Sequence, residues 1–176
     1  MNKWKRLVLC IFILVFMTVF VVIAVKVGDM RMTLSDYIER GKLCDLNLKI
    51  YYMHPNILTL FPVPLELYLN DIYFSFDILV DGSELEDHTD LLKRIIKASY
   101  IVAESDLREQ VRLYYVFETK KGRKVFDVLF SSTDGKIIVN GVAVEQNYAF
   151  YELMTHFLPA ELAEVVEGYG LANLSE

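Results

Sequence analysis

Residues 110–144 have the sequence QVRLYYVFETKKGRKVFDVLFSSTDGKIIVNGVAV, and this stretch decides the fold. Apolar side chains recur at every second position over 111–117 and again over 126–130, which is the period of a β-strand. The pair Asn140-Gly141 separates two short apolar runs. Asn-Gly favours a type I′ hairpin turn, because that turn needs two residues with positive φ. The stretch therefore predicts an antiparallel meander.

The flanking sequence adds strands and helices to this meander. Ser83 and Glu86 have the spacing of a capping box, and Pro159 ends one helical segment and can begin the next. The predicted elements are strands over 46–53 and 72–80 and helices over 83–99, 148–158 and 159–168. Together they indicate an α+β domain, an antiparallel sheet with helices packed on one face.

A transmembrane helix is predicted before this domain. Residues 7–25, LVLCIFILVFMTVFVVIAV, carry no charge. Such a helix is about 28 Å long, close to the hydrocarbon thickness of a bilayer. The only cleavage triplet of interest, Val22-Ile23-Ala24, has a bulky first residue, so we expect an uncleaved signal anchor rather than a removed signal peptide.

The anchor divides the chain into four segments. We expect a short basic cytoplasmic tail over 1–6, the anchor over 7–25, a connector with a short helix over 26–45 and one extracytoplasmic domain over 46–176. The compact cluster of Lys3, Lys5 and Arg6 favours an N-terminus inside the cell and a single-pass topology. Scarce cysteine suggests a bacterial envelope that does not rely on disulfides.

Charge and cysteine content exclude several classes of function. Residues 26–176 contain 15 Lys and Arg against 24 Asp and Glu, a formal charge of −9. This balance argues against nucleic-acid binding, which requires positive charge. Two cysteines cannot form a disulfide scaffold. We expect Cys44 to be a buried thiol, with intermolecular pairing as the alternative.

No catalytic motif, cofactor site or metal site stands out, and we expect that the protein is not an enzyme. The alternative is a small envelope hydrolase or metal-dependent enzyme that uses His54, His88 or His156. Glu152 and His156 lie four residues apart on a predicted helix. Two ligands are too few for a structural metal site, so we expect a hydrogen bond on the helix surface there.

Two groups of residues are candidates for an interaction surface. Tyr51, Tyr73 and Tyr114 fall on the sheet face opposite the main apolar stripe, and form an exposed aromatic platform if no helix covers that face. The predicted hairpin tip carries the second group, a basic run of Lys120, Lys121, Arg123 and Lys124. The favoured function is a membrane-anchored module that binds an envelope protein or peptide.

Overall fold

A computed structural model of the chain describes residues 16–17, 32–53, 65–70, 76–102, 111–131 and 136–173. The chain separates into two compact units, Met1–Thr33 and Leu34–Glu176. In the first unit Phe16 and Met17 are helical and exposed, and the rest of the predicted anchor lies outside the described residues. No helix within the described ranges combines the length and the apolar content that a membrane span needs.

The second unit is built on a six-stranded antiparallel sheet, which confirms the predicted meander and the α+β class. Its strand order is β2-β1-β3-β4-β5-β6. The strands are β1 (Leu46–Tyr52), β2 (Phe76–Asp81), β3 (Val111–Thr119), β4 (Lys124–Ser131), β5 (Ile137–Val139) and β6 (Val142–Val144). The first half of the predicted strand 72–80 lies outside the described residues.

Five helices accompany the sheet in the described part of this unit. They are α1 (Leu34–Glu39), α2 (Leu65–Asn70), α3 (Thr89–Ala98), α4 (Tyr148–Thr155) and α5 (Ala160–Asn173), with 3-10 turns at Leu43–Asp45 and Glu84–His88. The connector helix α1 buries Leu34 and Tyr37, so it contributes to the core of the unit. Helix α5 continues past Gly168, where the sequence predicted an end.

One face of the sheet forms the predicted core. Ile50 of β1, Tyr115 of β3 and Val128 of β4 lie side by side in the strand register, and all three are fully buried. Helix α4 contacts this face through Tyr151, whose ring lies 4.9 Å from that of Phe130. Alternating side chains of paired strands share a face, which explains why the period-two pattern predicted this core.

The opposite face is covered as well, and the expectation of helices on one face only is wrong. Its buried cluster contains Met53, Tyr114, Val116, Leu129 and Ile138. Leu65, the first residue of α2, packs against this cluster. Apolar side chains on both faces of β3 and β4 lose water only if both faces are covered, and this drives the second layer.

The tight hairpin between β5 and β6 confirms the predicted turn. Asn140 has φ 50° and Gly141 has φ 81°. Asn140 also ties the hairpin to β4, because its Oδ1 accepts a hydrogen bond from the Asp127 main-chain N at 3.1 Å. The turn therefore positions β5 against β4 as well as reversing the chain.

The helix that follows β2 begins differently from the prediction. Ser83 makes no capping hydrogen bond to the following turn, and a 3-10 helix precedes α3. Asp81 caps this turn instead, because its Oδ1 accepts from Ser83 N at 3.0 Å and from Ser83 Oγ at 2.9 Å. Glu84 Oε1 accepts from Asp81 N at 3.4 Å, the reciprocal contact of a capping box. The capping box thus lies two residues before the predicted one.

The adjacent residues Tyr114 and Tyr115 differ in how their hydroxyl groups are hydrogen-bonded. The buried hydroxyl of Tyr115 has no hydrogen-bond partner among the described residues, whereas that of Tyr114 donates to Asp127. We expect Tyr115→Phe to raise the free energy of unfolding by about 1 to 3 kcal/mol, because it removes an unsatisfied polar group. Tyr114→Phe, the matched control, should lower it by a similar amount. Urea denaturation measures both, and equal destabilisation by the two variants would contradict the assignment.

Candidate functional site

The tyrosines of the predicted aromatic platform occupy the second sheet face. Tyr51 and Tyr114 are paired between β1 and β3, and their ring centroids lie 5.9 Å apart. Tyr114 is only 4% exposed and Tyr51 is half-buried. Tyr114 therefore offers no exposed ring, because the second face is covered. Tyr73 lies outside the described residues.

Tyr114 belongs to a buried polar network centred on Asp127. Asp127 Oδ2 accepts from Tyr114 Oη at 3.2 Å and from Lys124 Nζ at 3.0 Å. Asp127 Oδ1 is buried and has no hydrogen-bond partner in the part of the chain that the structure describes. Burial raises the pKa of the Tyr114 phenol above its usual range, and the Asp127 carboxylate raises it further. Tyr114 therefore stays neutral and acts as a hydrogen-bond donor.

The basic run at the β3–β4 hairpin is largely engaged within the domain. Lys120 Nζ lies 3.5 Å from Asp81 Oδ2, and Lys124 pairs with Asp127. Arg123 Nη2 donates to Tyr37 Oη at 3.2 Å. Lys121 is exposed. Since three of the four cations have intramolecular partners, the run resembles an anchored turn more than a patch for an anionic polymer.

Two of the three histidines meet in the fold. His88 ends the 3-10 helix before α3, and His156 follows the last residue of α4. Their ring centroids lie 4.5 Å apart, with planes tilted by 34°. Phe157 contacts the His88 ring edge-on at 5.2 Å. His54 lies outside the described residues.

The expected hydrogen bond between Glu152 and His156 is replaced by an ion pair. Both carboxylate oxygens of Glu152 accept from Arg94 Nη2 at 2.7 Å, which joins α4 to α3. Arginine binds a carboxylate more strongly than a neutral imidazole does. Within the described ranges, no group of three or more His, Cys, Asp or Glu side chains could hold a metal ion.

The position of Cys44 differs from the expectation. Its thiol is free and exposed, so the prediction of a buried thiol is wrong. Cys44 lies in the 3-10 turn before β1, whose neighbour Leu43 is buried. A turn this short presents only one of its three side chains to the core, and Leu43 occupies that position.

The structure also has an exposed apolar surface at the β6 edge, which the sequence pattern did not predict. It consists of Tyr100, Ile101, Val102 and Val142, which are between 47% and 75% exposed and are called the edge patch below. Its sequence signal is the apolar triplet 100–102, which follows α3 after Ser99 and continues no helical or strand period. The triplet is visible in the sequence, but its exposure is visible only in the structure.

Main-chain contacts with β6 and the residue after it fix the backbone of the edge patch. Ile101 O accepts from Glu145 N at 2.8 Å, and Val102 forms an antiparallel bridge with Val144. These contacts extend the sheet by one short segment beyond β6. The patch is therefore presented on the sheet and not on a free loop.

The histidine pair predicts a pH dependence of stability. Burial lowers the pKa of the His88 imidazole, a charged His156 lowers it further, and Asp87 opposes both effects. Between this lowered pKa and the unfolded value of about 6.5, the unfolded chain binds more protons. The contribution of His88 to stability is therefore complete above about pH 6.5 and is lost as the pH falls through that window.

We expect the free energy of unfolding to fall less between pH 7.5 and pH 5 in His88→Gln than in the unmodified chain. His156→Gln should reduce the fall in part, because it removes the neighbouring positive charge. Denaturant titrations at several pH values measure this difference. Parallel pH profiles for all three proteins would refute the assignment.

Comparison with protein-family models, with curated proteins and with solved structures gave no match. The function proposed below therefore rests on the residues described above.

Proposed function

We propose that this protein is a single-pass membrane-anchored protein whose extracytoplasmic domain binds an envelope protein or peptide. The uncharged run over residues 7–25, preceded by basic residues, supports the anchor and its orientation. The edge patch is the observation that carries the binding function. It groups four exposed apolar side chains at one sheet edge, whereas Leu79 is exposed on β2 at the other edge.

Exposure of the edge patch is costly unless another surface covers it. Tyr100 is 75% exposed and Val102 is 65% exposed, so both keep most of their area in water. Exposed apolar side chains grouped at one place mark interaction sites more often than scattered single ones do. Tyrosine is also enriched among the residues that dominate binding energy at protein interfaces.

The main chain of the edge patch is held in place, so a partner meets a preformed surface. The hydrogen bond between Glu145 N and Ile101 O holds the segment against the sheet before a partner arrives. Fewer degrees of freedom are then lost on association, which increases affinity for a given contact area.

Charge restricts the nature of the partner. Residues 26–176 have a formal charge of −9, with 15 basic and 24 acidic side chains. An acidic domain attracts a partner whose apolar contact surface is flanked by Lys or Arg, and repels an acidic one. The partner in this proposal is therefore an envelope protein or peptide with apolar side chains inside a basic rim.

Position-specific cross-linking in native membranes tests this proposal. A photoreactive residue is placed at Tyr100 or Val142 of the full-length chain, and Leu79 serves as the matched control. Leu79 is 61% exposed on β2, at the opposite edge of the sheet. We expect Tyr100 and Val142 to give the same adduct and Leu79 to give none.

A substitution measures the strength of the contact. Tyr100→Ala should lower affinity for the captured partner about 30-fold, the effect of losing roughly 2 kcal/mol at an aromatic anchor. It should change the free energy of unfolding by less than about 0.5 kcal/mol, because the side chain is exposed. Equal adducts at all three positions, or adducts only at Leu79, would reject the edge patch. Release of the chain from carbonate-washed membranes would reject the anchor.

The contact between His88 and His156 favours a second candidate, a small envelope hydrolase or metal-dependent enzyme. Imidazoles from separate elements converge at catalytic sites, and these two lie 4.5 Å apart. Such an enzyme should hydrolyse a generic ester, peptide or phosphoester in a screen with the full-length chain. Its activity should then fall at least about 100-fold in His88→Ala, the size of a lost general acid or base.

A further inference from the structure

His88 and His156 bring two imidazoles to the junction of two helical segments. His88 closes the 3-10 helix Glu84–His88, and His156 lies at the C-terminal end of α4. The two segments are far apart in the sequence and are held together nearby by the ion pair of Arg94 with Glu152. Their meeting is therefore a product of the tertiary structure.

The ring nitrogens of both histidines are accessible to a ligand. In the ranges that the structure describes, neither imidazole takes part in a hydrogen bond or an ion pair. His156 is exposed, whereas His88 is half-buried and contacts Phe157. One ring is thus fixed by packing, and the other can rotate to adjust its nitrogen.

The spacing of the rings suits a single metal ion. Two imidazoles that bind one ion through bonds of about 2.0 to 2.1 Å place their ring centres about 4.5 to 5.2 Å apart, for bond angles between square and tetrahedral. The observed separation of 4.5 Å falls at the lower end of that range. The separation of the ring centres is therefore compatible with one ion bound by both imidazoles.

We propose that His88 and His156 form a two-histidine site for a borderline transition-metal ion such as Zn²⁺ or Ni²⁺. Imidazole prefers these ions to Mg²⁺ and Ca²⁺, which select oxygen ligands. Glu152 is occupied by Arg94, so the site is not a structural one with four protein ligands, and water would complete the coordination. The bound ion would link the segment before α3 to the end of α4. This inference does not depend on the binding function of the edge patch.

Titration with Zn²⁺ and Ni²⁺ alone tests the proposal on the full-length chain, purified in detergent without a histidine tag. Calorimetry gives the affinity, and the midpoint of thermal unfolding gives the stabilisation. We expect both ions to bind with one-to-one stoichiometry and to raise the midpoint, because an ion that binds only the folded chain stabilises it. Mg²⁺ should do neither.

Variants assign the ligands. His88→Gln and His156→Gln should each weaken binding by at least about tenfold, since even the loss of a residue that only orients a metal ligand costs about 10 to 100-fold. His54→Gln is the matched control and should leave the affinity unchanged. An equal loss in all three variants, or unchanged affinity in His88→Gln, would overturn the proposal. So would a midpoint that Mg²⁺ raises as much as Zn²⁺ does.

Discussion

Burial of strand β3 on both faces is the constraint on which the rest of the domain depends. Leu113, Tyr115 and Phe117 face the helix α4 layer, while Tyr114 and Val116 face the second cluster. A strand of this kind removes apolar area from water only if two layers cover it, so one helical layer is not enough. This requirement explains the position of α2 and the burial of polar side chains on β3 and β4.

Double coverage explains the polar network inside the second layer. Asp127 is 7% exposed, and a buried carboxylate needs charged or polar partners to offset its lost hydration. Tyr114 and Lys124 donate to this carboxylate, and Asn140 Oδ1 accepts from the Asp127 main-chain N. Tyr114 and Lys124, which the sequence pattern assigned to an interaction surface, therefore bond Asp127 within the domain and join β3 to β4.

Because both faces of the described sheet are covered, its edges are the parts that remain accessible to other molecules. The β2 edge carries charged side chains at Asp77 and Asp81, which discourage pairing with another strand. The β6 edge instead carries the apolar edge patch. The β2 edge also exposes Leu79, but there the apolar side chain stands between the two carboxylates. The histidine pair lies elsewhere, where the 3-10 helix before α3 meets the end of α4.

The sequence by itself determined the strand periods, the Asn140-Gly141 turn and the α+β class, because alternation and positive φ are set by local backbone geometry. It also predicted one core face, but it could not show that Tyr114 is buried or that Cys44 is exposed. It placed the capping box at Ser83, because spacing alone cannot tell which of two nearby acceptors reaches the first turn. Only the tertiary structure decided the second core, the contact of His88 with His156 and the exposure of Tyr100. Each of these depends on which distant segment covers a residue, and no local pattern encodes that.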